Sequence, residues 1–209
     1  MSKKIIAFAV LLFSLFYSSS FAFSGTDASA AKFLAGKWYI ANNSDINGYR
    51  LDDGITRKEF MKIIAKINGA VVPEKCEKKF SDVDSADWGC KYIEWALSKW
   101  FVAKNATFRP DDNVNITEAL KLIFKAKGIE KKYSTSSWQA DYINSAFDLW
   151  MIKEKYSQYT MGATRGWIFT VTSRSFSDFV VSAEDELKYD DASLEAELND
   201  IFDLIDGGQ

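Results

Sequence analysis

The segment WGCKYIEWALSKWFV at residues 88–102 returns fifty residues later as WQADYINSAFDLWMI at residues 138–152. Trp88 stands over Trp138, Tyr92-Ile93 over Tyr142-Ile143 and Trp100 over Trp150. A more diverged copy, AAKFLAGKWYI at residues 30–40, places Trp38 over Trp100. Repetition at such a period constrains the fold strongly. Each copy is one supersecondary unit that does not bury its apolar face alone, so the copies must pack on one another.

Ile93, Ala96, Leu97 and Trp100 recur at helical spacing, so the first half of each unit is expected to be a helix. The second half repeats as well: ITRKEFMKIIAKI from Ile55, VNITEALKLIFKA from Val114 and VTSRSFSDFVVSA from Val171. The expected helix caps are therefore Thr56, Asn115 and Thr172. Thr56 with Glu59 and Asn115 with Glu118 have the spacing of a capping box, in which each side chain satisfies a backbone N–H at the helix start. The loops before the first two caps also correspond, Tyr49-Arg50-Leu51-Asp52-Asp53 matching Phe108-Arg109-Pro110-Asp111-Asp112, whereas KYSQYTMGATRGWIF in the third unit reads as longer and without the pattern. The expectation is an all-α fold: three helix-loop-helix units around a shared core, packed as a pseudo-threefold bundle. Trp38, Trp100 and Trp150 close the first helices, with core packing as their default role and ligand stacking as the alternative.

The chain holds no histidine, which removes Ser-His-Asp and Cys-His nucleophilic sites and histidine metal sites together. Carboxylate-only glycoside hydrolysis needs just two acids, but 29 acidic residues make chance pairs common, and no enzyme activity is expected. A net charge of −3 gives no general attraction to nucleic acid. Lys3 and Lys4 precede an apolar run from Ile5 to about Tyr17, so residues 1–22 read as a secretory signal peptide cleaved after Ser20-Phe21-Ala22, an uncleaved anchor being the alternative. About 185 residues remain, enough for a real core. In an exported chain Cys76 and Cys90 are expected to form a disulfide worth about 3 kcal/mol. A metal pair is the alternative, and it lacks the further Cys or His ligands that such a site needs, so neither metal nor cofactor is expected. Residues 184–209 carry ten acids against one lysine, with Leu194, Leu198, Ile201, Phe202 and Ile205 at helical spacing. This tail is expected to form an acidic amphipathic helix that packs back on the repeats, docks on a partner or another copy, or stays solvated.

The middle unit reads FSDV at residues 80–83, Trp88, YIEWAL at 92–97, TFRPDD at 107–112 and Glu118. It resembles the S-layer homology domain family, and the resemblance extends over units at 23–72, 73–130 and 131–183. What this implies is a non-catalytic module, exported to the bacterial cell surface, that binds cell-wall polysaccharide non-covalently, often a secondary polymer carrying pyruvylated N-acetylmannosamine. The family's Thr-Arg-Ala-Glu motif falls on Thr56-Arg57-Lys58-Glu59 in the first unit, on Asn115-Ile116 in the second and, by the alignment above, on Thr172-Ser173 in the third, with Ser175 at the acid position. Arg57 is then expected to pair with a sugar carboxylate beside unpaired N–H groups at the helix start. Thr56, Asp52, Asp53 and Gly54 complete that groove, and Trp88 or Trp138 supplies an apolar wall. Only one groove would keep the full pattern, which leaves an alternative: a structural or assembly subunit of the envelope that has lost most of its glycan grooves.

Overall fold

The computed structural model describes residues 25–180; the expected signal peptide and acidic tail helix lie outside the described residues. These residues form six α-helices, α1 Gly25–Gly36, α2 Arg57–Ile67, α3 Cys90–Ser98, α4 Ile116–Lys127, α5 Trp138–Asp148 and α6 Arg165–Arg174, with a 3-10 turn at Ile46–Tyr49. Among the described residues there is no strand, as an all-α fold requires.

Helices α1, α3 and α5 end in one device. Trp38, Trp100 and Trp150 take left-handed backbone conformations with φ of 64°, 62° and 57°. Each donates its N–H three residues back, to the carbonyls of Ala35, Leu97 and Phe147, and the following residue donates five back, to Leu34, Ala96 and Ala146. That pair of bonds is the Schellman motif, which satisfies the last carbonyls of a helix and normally places glycine at the left-handed position. The three tryptophans are 80%, 83% and 84% exposed, so the expectation that they pack in the core is corrected. A side chain at this position leaves the helix cylinder where the chain reverses, and the apolar residue just after it is the one that turns inward.

Helices α2, α4 and α6 start with capped turns, but the third cap differs from expectation. Thr56 and Asn115 form the full capping boxes with Glu59 and Glu118. Helix α6 begins at Arg165, and its cap is Thr164, whose side chain accepts the N–H of Trp167. Thr172 instead lies in the middle of α6, fully buried. Thr164-Arg165 is thus the third counterpart of Thr56-Arg57. It escaped the sequence alignment because Trp167 stands where the capping glutamate would be.

The helices of one unit do not form the packing pair. Helix α3 packs on α2, α5 on α4, and α1 on α6, while α4 also touches α2 and α6. The first helix of each unit therefore lies on the second helix of the preceding one, and the first described helix closes on the last. Fully buried Leu34, Phe60, Ile64, Ile93, Leu120, Phe124 and Phe169 fill the shared interior, each worth about 1.5–3 kcal/mol relative to exposure.

Beneath the helix starts the three loops interlock. Isolated antiparallel bridges join Thr56 to Asn113, Asn115 to Gly162 and Thr164 to Gly54, so every cap residue pairs with the residue two before the next cap. Gly54 is needed here: a Cβ would lie 2.6 Å from Nδ2 of Asn113. A disulfide joins Cys76 to Cys90, tying the segment after α2 to the start of α3. Buried Glu94 accepts the N–H groups of Glu77 and Lys79 beside it.

Candidate functional site

The starts of α2 and α6 are occupied by the neighbouring loops. Arg57 and Lys58 donate their N–H groups to the carbonyls of Asp112 and Pro110, and Arg165 and Gly166 donate theirs to Asp53 and Leu51. Ile116 at the start of α4 donates to Met161. The unpaired N–H groups expected at the helix starts are therefore taken by the protein itself, because the loops must bury their own carbonyls against something.

The arginines follow the same rule. Arg57 donates Nε to the carbonyl of Phe108 at 2.9 Å and a terminal nitrogen to Oε1 of Glu118 at 2.9 Å, while its guanidinium lies over the Phe108 ring. Arg165 repeats this across another seam, Nε to the carbonyl of Tyr49 at 2.9 Å and a terminal nitrogen to Oε1 of Glu59 at 3.4 Å. Thr56 works as the cap of α2. Asp53 pairs with Arg50 at 2.6 Å and offers its carbonyl to Arg165, so Asp53 and Gly54 sit in the interlocked hub, with Asp52 exposed beside them. None of these three lines a cleft described below.

A cleft of about 290 Å³ opens between α2 and the start of α3. Its walls include Tyr39, Ile40 and Ala41 after α1, Glu59, Lys62 and Lys66 on α2, Trp88, and Arg165 from the far seam. Trp88 is 46% exposed, so one part of its ring is packed and the rest faces solvent. The ammonium of Lys62 lies 5.3 Å from that ring, and Lys66 donates to the carbonyl of Trp38 at 2.9 Å. Three cations and one carboxylate thus stand around an aromatic wall.

The seam between α4 and α5 presents the same set. Lys121 lies 4.9 Å from the ring of Trp138, Lys125 donates to the carbonyl of Trp100 at 2.8 Å, and Glu118 holds Arg57. Trp138 is 41% exposed. Burial holds the pKa of Lys125 below the ordinary lysine value, with the nearby charge of Lys121 acting in the same direction. Trp88 therefore groups with Lys62, Lys66, Glu59 and Arg165, and Trp138 with Lys121, Lys125, Glu118 and Arg57. Arg165 is thus a second arginine just after a cap, while Thr56-Arg57-Lys58-Glu59 stays the one full motif. Sequence reasoning also missed Lys62, Lys66, Lys121 and Lys125, although their matching places in ITRKEFMKIIAKI and VNITEALKLIFKA were available as a signal.

At the third seam the set is altered. The cleft of about 140 Å³ between α6 and the start of α1 is lined by Thr26, Asp27, Trp167, Thr170 and Arg174 along with residues 151–153 and Tyr156. Thr170 takes the place of Lys62, and Thr26 that of Trp88. Trp167 donates Nε1 to the hydroxyl of Tyr156 at 2.9 Å, and the Thr170 hydroxyl donates to Asp27.

The second unit also shows how its motif works. Asp82 accepts the N–H groups of Phe108 and Arg109 at 2.8 and 2.7 Å, fixing the loop that receives Arg57. Burial pushes its carboxyl up, but these two donors outweigh that and leave the pKa below the ordinary aspartate value.

The architecture defines an all-helical, interlocked module with a cationic, aromatic-walled cleft between α2 and α3 and a matching set of residues at the seam of α4 and α5. Residues 79–115 match the S-layer homology domain, covering Asp82, Trp88, α3 and the Phe108 loop. No curated protein matches the chain as a relative. No helix among the described residues is long and apolar enough to cross a membrane.

Proposed function

We propose that the protein is a non-catalytic anchoring module that holds cell-wall polysaccharide in the cleft beside Trp88 and at the matching seam beside Trp138, at the surface of a bacterial cell. The three units are read as tandem S-layer homology repeats in a pseudo-threefold array, supported by the closed cycle of loop bridges and the three identical helix ends. The observation that carries the glycan reading is the combination in one open cleft of a half-exposed indole with Lys62, Lys66 and Arg165. An indole face covers the C–H face of a pyranose at little entropic cost, and cations beside it select a sugar bearing a carboxylate. A pyruvyl ketal on N-acetylmannosamine has that chemistry.

In this reading Arg57 and Arg165 act by holding Glu118 and Glu59 and by adding positive potential. Lys62 and Lys121 make the direct ionic contacts. The rival, an envelope subunit whose grooves have been lost, drew on missing arginines, and Arg165 fills one of those places.

The test is co-sedimentation with purified cell walls. Wild type is expected in the pellet, with loss of retention when Lys62→Ala and Lys121→Ala are combined and when the wall is chemically depyruvylated. Retention unchanged by both treatments would remove the clefts from the interaction.

A further inference from the structure

We propose that Trp38, Trp100 and Trp150 are rim platforms, each stacking a further sugar ring of the chain that leaves the adjoining cleft, so that the ligand is recognised as an oligosaccharide rather than as a single residue. This rests on the glycan reading of the clefts.

The backbone at each of the three positions is left-handed, a conformation suited to glycine, and a bulky aromatic there is strained. Each of these residues is four-fifths or more exposed to solvent, so packing does not offset the strain. The same costly choice is made at three equivalent helix ends. Outliers of this kind mark places where structure yields to use.

Position then indicates the use. Trp38 immediately precedes Tyr39, Ile40 and Ala41 in the wall of one cleft, and Trp150 precedes Met151, Ile152 and Lys153 in the wall of another. The carbonyl of Trp38 is held by Lys66, and that of Trp100 by Lys125. At the third seam Arg174 holds the carbonyl of Met151 at 3.4 Å. At two seams the helix that lines the cleft therefore fixes the backbone of its rim, and α4 holds the Trp100 rim in the same way, which presets the spacing between each ring and its seam. A whole aromatic side chain buries about 150–250 Å² when covered on all sides. One face of it suffices for a single sugar ring and falls far short of the about 800 Å² per partner that a stable protein interface needs. Trp38 and Trp100 each follow a lysine in the chain, Lys37 and Lys99.

The experiment titrates secondary cell-wall polysaccharide, size-fractionated into single repeats and chains of several repeats, against wild type and the W38G/W100G/W150G variant. Wild type is expected to bind the longer chains at least tenfold more tightly than single repeats. The glycine variant should lose that advantage, about tenfold or ~1.4 kcal/mol, keep its affinity for single repeats, and melt at or above the wild-type temperature. Tyrosine at the three positions should restore most of the chain-length advantage. An advantage that survives in the glycine variant overturns the inference and leaves the clefts standing. A lower melting temperature with loss of single-repeat binding would make the rings structural, and would overturn it too. If wild type binds neither fraction, the cleft reading fails and this inference with it. Loss in the glycine variant of vesicle binding or of self-association, with glycan binding intact, would assign the rings to a lipid surface or a second copy instead.

Discussion

At the scale of single residues, the interior of α6 is more polar than its neighbours' interiors, and its groups differ in how they are satisfied. The Ser173 hydroxyl donates to the carbonyl of Ala30 at 3.3 Å, across the α1 contact. Thr172 is fully buried and its hydroxyl has no partner. A buried unpaired hydroxyl costs about 1–3 kcal/mol, so Thr172→Val is expected to raise stability by roughly 1 kcal/mol, visible as an upward shift of a few degrees in calorimetry. A downward shift would mean that the hydroxyl is paired. Asp141 shows the opposite state: fully buried, it accepts Lys131 at 2.7 Å and both the N–H and the hydroxyl of Thr135. The Lys131 bond comes first, burial opposes it, and together with the Thr135 donors the carboxyl is held down at about 2. Because the folded pKa lies below the ordinary value of about 3.9, the ionised form stabilises the fold above about pH 4, and that contribution is lost as pH falls toward 2. The melting temperature should decline through this window, and Asp141→Asn should flatten the decline while lowering stability at neutral pH. An unchanged slope in the variant would place the acid sensitivity elsewhere.

At the scale of elements, helix starts and helix ends carry different amounts of redundancy. Thr56 belongs to a box in which Glu59 returns a bond to the cap N–H, whereas Thr164 caps α6 with Trp167 in the partner position. Thr56→Ala should cost about 1 kcal/mol in chemical denaturation, and Thr164→Ala the same or less, since one bond rather than two is disturbed. A larger loss at Thr164 would show that its bridge to Gly54 matters more than its cap. These elements also explain what was legible in the sequence. Two starts were readable because Thr56-Glu59 and Asn115-Glu118 state both halves of the box. The third was misplaced by eight residues, onto Thr172, because Trp167 removes the acid and the apolar run of α6 slides easily onto VTSRSF. The disulfide was readable from cysteine count. The tryptophan ends were located correctly but given the wrong environment: an aromatic at helical spacing looks alike whether the backbone continues or turns left-handed, and only coordinates separate the two. The clefts were half legible, for the reason that Arg57 and Trp88 stand in matching motifs while belonging to different seams.

At the scale of the whole molecule, the decisive feature is closure. In an open stack each unit touches its neighbours alone, and removing a terminal unit subtracts about one unit's share of stability. Here α1 lies on α6, Arg165 reaches back to Tyr49 and Glu59, and the Thr164 bridge to Gly54 completes the cycle of loops. Deleting residues 25–36 would therefore uncover the face of α6 that carries Gly166, Thr170 and Ser173. The buried hydroxyls of that face would meet water without their α1 partners, among them Ser173 and Thr170. The interlock couples this loss to the other two seams, since Arg57 depends on the Phe108 loop and that loop on Asp82. The shortened chain is expected to lose its near-ultraviolet circular dichroism and its cooperative melt altogether, rather than melt a few degrees lower with the α2–α5 portion intact. The intact protein should melt in one transition, with the Trp95 and Trp167 environments changing together. Two separable transitions, or a shortened chain that still binds cell walls through the Trp138 seam, would show that the seams are independent and that the closed ring is a matter of shape and not of stability.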